Sequence, residues 1–422
     1  MHHASARHHA AAASARTGIW FIGARGSVAS TATLGLAAIA DGQSPPTACV
    51  TAREPFASAG LPEFADLVVG GHDISAVTMT KRAESLVETG MIPPRLLAAT
   101  HDALERADAE VRPGYDPHAA QQGRSQQGQS QQGQSQQGQS QQGQSQQAAA
   151  ERLAADITSF QERHALARVV VIDLSSTEPP VDPVPEFYDP EALLAALADP
   201  ARAVLPASSV SAYAAILAGA AYAAFTPSAG MGLPALTQLA RERGIPVAGQ
   251  DGKTGQTWLR TVLAPAFAAR GLKVLSWAGT NLLGGGDGAT LADPDAVRSK
   301  LASKNRGLRA LTGSDTTPLH IDNVPDLGDT KVAWDHVHVE GFLGSRLTLQ
   351  TTWSAHDSML AAPLVLDLAR LLALAHSAGI SGTVQELGFF FKDPWDSDVH
   401  DAAEQAAALE EWVGRTSTQV RR

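Results

Sequence analysis

One lysine in a glycine-bracketed turn, Gly252-Lys253-Thr254-Gly255, leads through an apolar segment to a second, glycine-rich turn ending in Asp287. Glycine adopts backbone conformations closed to other residues, so such turns let main chain approach a ligand closely. Lysines are mostly solvated surface charges. Lys253, Lys304, Lys331 and Lys392, however, stand beside glycines, aspartates or aromatic runs. Burial in such surroundings lowers a lysine pKa and frees the amine for proton transfer or oxyanion stabilisation. Asp251, Asp287 and Asp329 are the natural counter-charges. Glycine clusters also mark ordinary loops, and the pattern by itself leaves both readings open.

A second constellation suits a nucleotide. In GARGSVAST, the residues Gly23, Ala24, Arg25, Gly26, Ser27 and Val28 fall between a strand and a helix. Free backbone N–H groups and the helix dipole at such a turn can hold a pyrophosphate. The fingerprint is incomplete, because Arg25 occupies a position where G-x-G-x-x-G would carry glycine, and the expected acid after a second strand is missing, with Glu54 the nearest candidate. Two more strand ends carry small or polar residues: Asp73 in VVGGHDIS, and Ser176 and Thr177 in DLSSTEPP. Three such ends favour a nucleotide cleft. His336, His338 and Glu340 alternate along one strand and could ligate a metal with His320 and Asp322, but the pattern is incomplete and no metal is assigned. No G-x-S-x-G, Walker loop or H-E-x-x-H occurs, which removes serine hydrolase, P-loop kinase and zincin readings.

The elements that must position these residues read as α/β. A strand at Ile19 to Ile22, an alanine-rich helix through Ala40 and a strand at Thr47 to Thr51 begin a mononucleotide-binding unit. Further parallel-type strands are expected at Leu67 to Val69 and Val169 to Leu174. Helices are expected at Pro94 to Val111, Ala148 to His164 and Thr257 to Arg270, with a strand at Lys273 to Trp277 and a loop from Asn281 to Gly288. Alternating patterns in LHIDNV, KVAWDHVHVEGF and RLTLQTTW predict antiparallel strands. The expected organisation is a disordered tail over 1–15, a Rossmann NAD-binding domain over 16–229, a catalytic and oligomerisation domain over 230–345 with a mainly antiparallel sheet, and a return to the first domain over 346–422. Residues 121–147 repeat QQGQS without one apolar position, so disorder is expected there.

Composition narrows the function further. At 422 residues the chain exceeds one hydrophobic core, and 44% hydrophobic with 18% charged residues is globular. A net charge of -11 argues against a general partner in nucleic acid or anionic membrane. No stretch of 18 uncharged apolar residues predicts a membrane span, and the single cysteine, Cys49, fits the cytoplasm.

Taken in order, GARGSVAST, DLVVGGHDIS, SSTEPP, GQDGKTGQT, NLLGGGDG, RSKLASK, LGDTKVAWDHVHVEGFLG, HDSMLAAPLVLDL and FFFKDP resemble the myo-inositol-1-phosphate synthases, closer to their bacterial branch. The resemblance runs from about Gly18 to about Pro394. It implies an NAD-binding Rossmann domain interrupted by a smaller domain whose sheet mediates homotetramer formation. It also implies a redox-neutral cyclisation of a hexose 6-phosphate: oxidation at C5, enolisation at C6, attack of C6 on C1, and reduction of the new ring. By the same resemblance Lys253, Lys304, Lys392, Asp329 and Lys331 are catalytic. The GARGSV residues, Asp73, Ser176, Thr177, Asp251 and Asp287 bind the cofactor. Substrate falls to Thr226, Ser228, Trp258, Asn281, Gly285 and Gly286. The family's lysine after GQT is Trp258 here, its LGNNDG is LGGGDG, and its NGSPQN is FTPSAG. These departures lie in the substrate pocket. Glucose 6-phosphate to inositol 3-phosphate is the first expectation, and closure of a five-membered ring from fructose 6-phosphate the alternative.

Overall fold

The computed structural model describes residues 16–118, 144–284, 311–313 and 318–421. The expected tail over 1–15 and most of the repeat lie outside the described residues, as do Gly285, Gly286, Asp287 and Lys304. In chain order the helices are α1 (Ser27–Ala40), α2 (Met79–Glu88), α3 (Pro94–Ala109), α4 (Gln146–Arg163), α5 (Pro190–Ala198), α6 (Ala207–Leu217), α7 (Pro234–Glu242), α8 (Gln256–Ala269), α9 (Asp357–Ser377) and α10 (Ala402–Val420). The strands are β1 (Thr17–Ile22), β2 (Leu67–Asp73), β3 (Val111–Pro113), β4 (Arg168–Asp173), β5 (Ala221–Ala224), β6 (Pro246–Gly249), β7 (Lys273–Leu283), β8 (Leu319–Asn323), β9 (Thr330–Glu340), β10 (Arg346–His356) and β11 (Gly382–Thr383).

Seven strands form a parallel sheet in the order β11-β6-β5-β4-β1-β2-β3. Alternation along each strand sends side chains into two cores. Ile19 and Phe21 of β1 pack on the side of α1, α3 and α9, whereas Trp20 and Ile22 pack on the side of α4 and α6. Helices on both faces explain why these strands read as continuous apolar runs. The strand order reverses between β1 and β4, the switch point where open α/β sheets bind ligands. The second sheet runs β10-β9-β7-β8, antiparallel except for the parallel β7–β8 pair. Its small core of Val274, Trp277, Val337 and Val339 takes in Ala264 of α8.

Several expectations are corrected here. Thr47 to Thr51 forms no strand; Val50–Ala52 is a 3-10 turn. Its N–H groups leave the ladder because Asp367 of α9 accepts from Val50 N (2.6 Å) and Thr51 N (3.0 Å). The second strand is therefore β2. The strand from Lys273 continues through Asn281 to Leu283, so Asn281 is not in a loop. The helix from Pro94 ends at Ala109, and Val111–Pro113 joins the sheet edge beside β2. In the sheets themselves, β6 (Pro246–Gly249) belongs to the parallel sheet and β10 (Arg346–His356) to the second sheet. Helix α9 is long and apolar enough to cross a membrane, yet its Asp367 and Arg370 are buried against residues 50–62. It is a core helix.

The end of the repeat is folded. Ser145 caps α4 by accepting from Ala148 N, and the buried Gln146 amide bonds Val204 N, Leu205 N and Leu205 O at 2.8, 2.9 and 2.7 Å. Deleting 121–143 is accordingly expected to leave activity and unfolding midpoint nearly unchanged, while deleting 121–147 costs about 1–3 kcal/mol by orphaning those backbone groups. Equal stability of the two deletions would contradict the role given to Gln146.

Candidate functional site

The glycine-rich turn sits at the switch point. Gly23 has φ +79°, and a Cβ there would lie 2.9 Å from the carbonyl oxygen of Leu174, so both conformation and space demand glycine. Gly26 N-caps α1 without a side-chain hydrogen bond, and Gly26, Ser27, Val28 and Ala29 line a cavity of about 330 Å³. The first turn of α1 thus offers its N–H groups and dipole to an anion. Ser176 and Thr177, after β4, line the same cavity. Ala24 packs into the apolar core instead, so only its backbone belongs to the turn.

A second cleft adjoins the first, sharing Gly23, Gly26, Arg82, Ser176 and Thr177. Asp73 stands in its wall at the end of β2. Glu54 has no part in either cleft. Asp73 accepts from Arg25 N and Ser75 N, both at 2.6 Å, which fixes the carboxylate. Together the uncapped helix, the glycine cradle and the strand-end acid fit a dinucleotide across the switch point.

Opposite α1 the cavity wall is built by two segments far apart in sequence. Residues 249–253 and 390–395 run side by side: Gln250 N donates to Asp393 O (2.8 Å), Lys392 N to Asp251 O (2.7 Å) and Lys253 N to Phe390 O (2.8 Å). Gly252 lies against Phe225, whose ring a Cβ would meet at 2.3 Å. This ladder sets Lys392 Nζ 2.6 Å from Asp251 Oδ1 in a pair 7% and 4% exposed. From the second sheet comes Lys331, with Nζ 3.1 and 3.2 Å from the carboxylate oxygens of Asp357, which also accepts from Thr254 Oγ1 at 3.0 Å. Asp329 lines the same cavity, its carboxyl pushed up chiefly by burial and held back in part by Arg82 and His356. Thr226 completes this wall.

Other expected residues lie elsewhere. Lys253 is buried behind the wall: Nζ donates to Gln405 Oε1 of α10 and sits 5.8 Å from the Phe389 ring centroid, with burial pushing its pKa down to about 7. Asn281, expected to bind substrate, is fully buried and donates to Gln256 Oε1 (2.9 Å). Gln256 in turn donates to Asp335, which also holds Arg260 and Trp277. Asn281 therefore belongs to a buried polar cluster between α8 and the second sheet. Trp258 is half-exposed on α8, 6.4 Å from the Trp353 ring, and lines neither cleft. Ser228 is buried and accepts from Glu178 N. His336, His338 and Glu340 occupy the strand face opposite Lys331 and Asp335.

Sequence reasoning passed over Arg82, Asp357, Asp335 and Gln405. Asp357 was visible only as an acid in the first turn of α9, a common helix signal. Arg82 is one more charged residue on a polar helix face, and its place between the two clefts depends on the fold.

The family model described as myo-inositol-1-phosphate synthase, an NAD-binding family, matches residues 55–414. Inositol-3-phosphate synthase 1 of Bacteroides thetaiotaomicron is 34% identical over 254 residues, 58% of this chain and 59% of that protein. Inositol-3-phosphate synthase of Drosophila melanogaster is 35% identical over 226 residues, covering 51% of this chain and 40% of the relative. The chain thus spans about half the length of the curated relatives it matches. In fold it is similar to an inositol-3-phosphate synthase from Caenorhabditis elegans, with TM-score 0.78, 22% identity, and 96% of this chain and 86% of that one covered. A related protein from Thermotoga maritima gives TM-score 0.71 at 24% identity, covering 94% and 98%.

Proposed function

Because the chain belongs to the myo-inositol-1-phosphate synthase family, we propose that it cyclises a hexose 6-phosphate with NAD, taking glucose 6-phosphate to inositol 3-phosphate. The observation that carries this reading is one cavity walled by the N-terminus of α1 and by two lysine–carboxylate pairs, Lys392–Asp251 and Lys331–Asp357. An ordinary binding turn has no use for two such pairs. Oxyanions on the path to a ring do, since each needs a cation held in place before the charge develops.

Residues 23–28, Asp73, Ser176 and Thr177 would hold the dinucleotide, with Arg82 supplying a cation where the two clefts meet. Bound there, NAD supplies a reversible hydride acceptor, which makes the overall conversion an isomerisation. The sugar lies against Thr226, Thr254, Lys331 and Lys392. Oxidation at C5 takes away hydride and the hydroxyl proton; the resulting ketone acidifies C6, whose proton leaves to give an enolate. Lys392 and Lys331 stabilise oxygen anions at these stages. Attack of C6 on the C1 carbonyl carbon closes the ring, the C1 oxygen takes up the proton that left C6, and return of hydride to C5 with a proton restores the alcohol. Asp251 and Asp357 hold the two lysine side chains in place through these contacts. Lys304, on the family's SKxxSK motif, and Lys253, whose buried amine can take up a proton, complete the lysine set.

The second sheet supports assembly as a homotetramer. One face packs on α8, while Trp334 is 40% exposed and the β9–β10 turn exposes Phe342 and Leu343 at 86% and 89%.

The test is to incubate the purified chain with NAD⁺ and either glucose 6-phosphate or fructose 6-phosphate, identify products by NMR, and measure the sedimenting mass of the active species. A six-membered cyclitol phosphate from glucose 6-phosphate and a mass of four chains are expected. A five-membered ring from fructose 6-phosphate alone would overturn the substrate assignment. Net NADH, or no carbocyclic phosphate from either sugar, would overturn the cyclase reading, and a monomeric mass the tetramer.

A further inference from the structure

The wall of the second cleft contains a cation that is already neutralised. The Arg25 guanidinium projects from the glycine-rich turn toward the loop after β2, where it donates to the carbonyl oxygen of Ser75 at 2.8 Å. Asp108, at the end of α3, grips it from the other side through two parallel bonds of 2.9 Å, Nε to Oδ1 and the terminal nitrogen to Oδ2. Asp108 also accepts from Met79 N at 2.9 Å, which anchors the carboxylate to the start of α2. Both side chains are mostly buried, at 19% and 14% exposed, so neither is a freely solvated surface charge.

The location gives this pair a meaning. Arg25, Asp73, Ile74 and Ser75 line one cleft, and Asp73 is the strand-end acid that in such folds faces the ribose hydroxyls. An arginine in that neighbourhood is how the same folds accept a ribose 2′-phosphate. This chain carries both residues, an acid and an arginine, and cancels the arginine.

Resting on the dinucleotide reading above, we propose that Asp108 is a cofactor-selectivity residue: it holds the Arg25 guanidinium in a closed bidentate pair and so denies a 2′-phosphate its cation. Asp73 supplies the repulsion, and Asp108 withholds the compensating attraction. Selectivity for NAD over NADP then comes from two carboxylates on different elements, β2 and α3, rather than from the strand-end acid alone.

The experiment is titration calorimetry of the purified full chain with NAD⁺ and with NADP⁺. The natural chain is expected to bind NAD⁺ about a hundredfold more tightly or better, the scale set by placing a phosphate beside a carboxylate of like charge. Asp108→Asn keeps an acceptor for Met79 N but removes the charge. It should tighten NADP⁺ binding about tenfold, the scale of one charge gained in a part-exposed site, and leave NAD⁺ within about threefold. Adding Arg25→Gln should erase that gain, because the turn's backbone stays while the released cation goes. Asp108→Ser is the second version, used if circular dichroism shows the asparagine protein unfolded. A folded Asp108 variant with an unchanged NADP⁺ constant overturns the lock, as does a gain that survives Arg25→Gln. Binding of neither dinucleotide by the natural chain overturns instead the reading on which the lock rests.

Discussion

Lys392→Met is expected to lower turnover by about a hundred- to a thousandfold and stability by about 3–5 kcal/mol. The two losses have different causes. Turnover falls because an ammonium lining the cavity is gone. Stability falls because Asp251, 4% exposed, loses the cation 2.6 Å away while its carboxylate stays buried. Removing both charges separates these effects. In Lys392→Met with Asp251→Asn the buried carboxylate is gone as well, so most of the stability should return, whereas turnover should not. Denaturant unfolding and NMR detection of product check the two readouts on the same samples. Undiminished turnover in the single variant would remove Lys392 from the chemistry. A double variant as unstable as the single one would show that the ladder between residues 249–253 and 390–395, rather than the charge pair, carries the stability. Lys331→Met offers a contrast, because its partner Asp357 is 34% exposed and keeps its bond from Thr254. Water can then solvate the stranded carboxylate, and loss of turnover should outweigh loss of stability.

How far the sequence carried this site can be read from individual residues. The motif order brought Lys331, Lys392, Asp251 and Asp329 to one cavity although they come from separate stretches of chain, because each stands in a short local signature. The strand at Thr47 to Thr51 failed for the opposite reason. A short apolar run after two prolines looks like a strand, and what unmakes it is Asp367, more than three hundred residues away, taking its N–H groups. Without that strand Glu54 loses its place at a strand end, whereas Asp73, expected among the cofactor-binding residues, stands at the end of β2. A polar residue before glycines suggests a loop at Asn281, but its amide donates to Gln256, itself held by Asp335, and it lies buried in β7. Trp258 departs from the family motif, and the structure leaves it half-exposed on α8, 6.4 Å from the Trp353 ring. Departures from a family motif locate a pocket only if the residue points into it, and a helix turns a given position toward or away from a ligand by its register.

Lys253 poses the sharpest case, because its chain neighbours belong to the cavity wall and its side chain does not. Gly252 and Thr254 on either side line the cavity, while the amine reaches back to Gln405. Gln405 cannot turn its amide around: its nitrogen donates to Val399 O at 2.6 Å and to Gly388 O at 3.2 Å, so its oxygen must face the lysine. A neutral amide acceptor steers the amine without demanding that it be charged. With burial as the cause, the pKa stands at about 7, so at neutral pH a large fraction of the amine is free to accept a proton. Lys253→Met is therefore expected to abolish turnover while dinucleotide binding stays measurable. In the unaltered chain turnover should rise with pH through about 7 and level off above it, because the neutral amine is the active form. Gln405→Glu sets a carboxylate against the amine, raises its pKa and moves that limb to higher pH. Below the limb, turnover should then fall about tenfold for every pH unit by which the limb has moved. A purely structural Gln405 would lower turnover by the same factor at every pH. A limb that stays at its original pH in folded Gln405→Glu would show that another group titrates there, and full turnover in Lys253→Met would leave Lys253 as a buried amine with no part in the reaction.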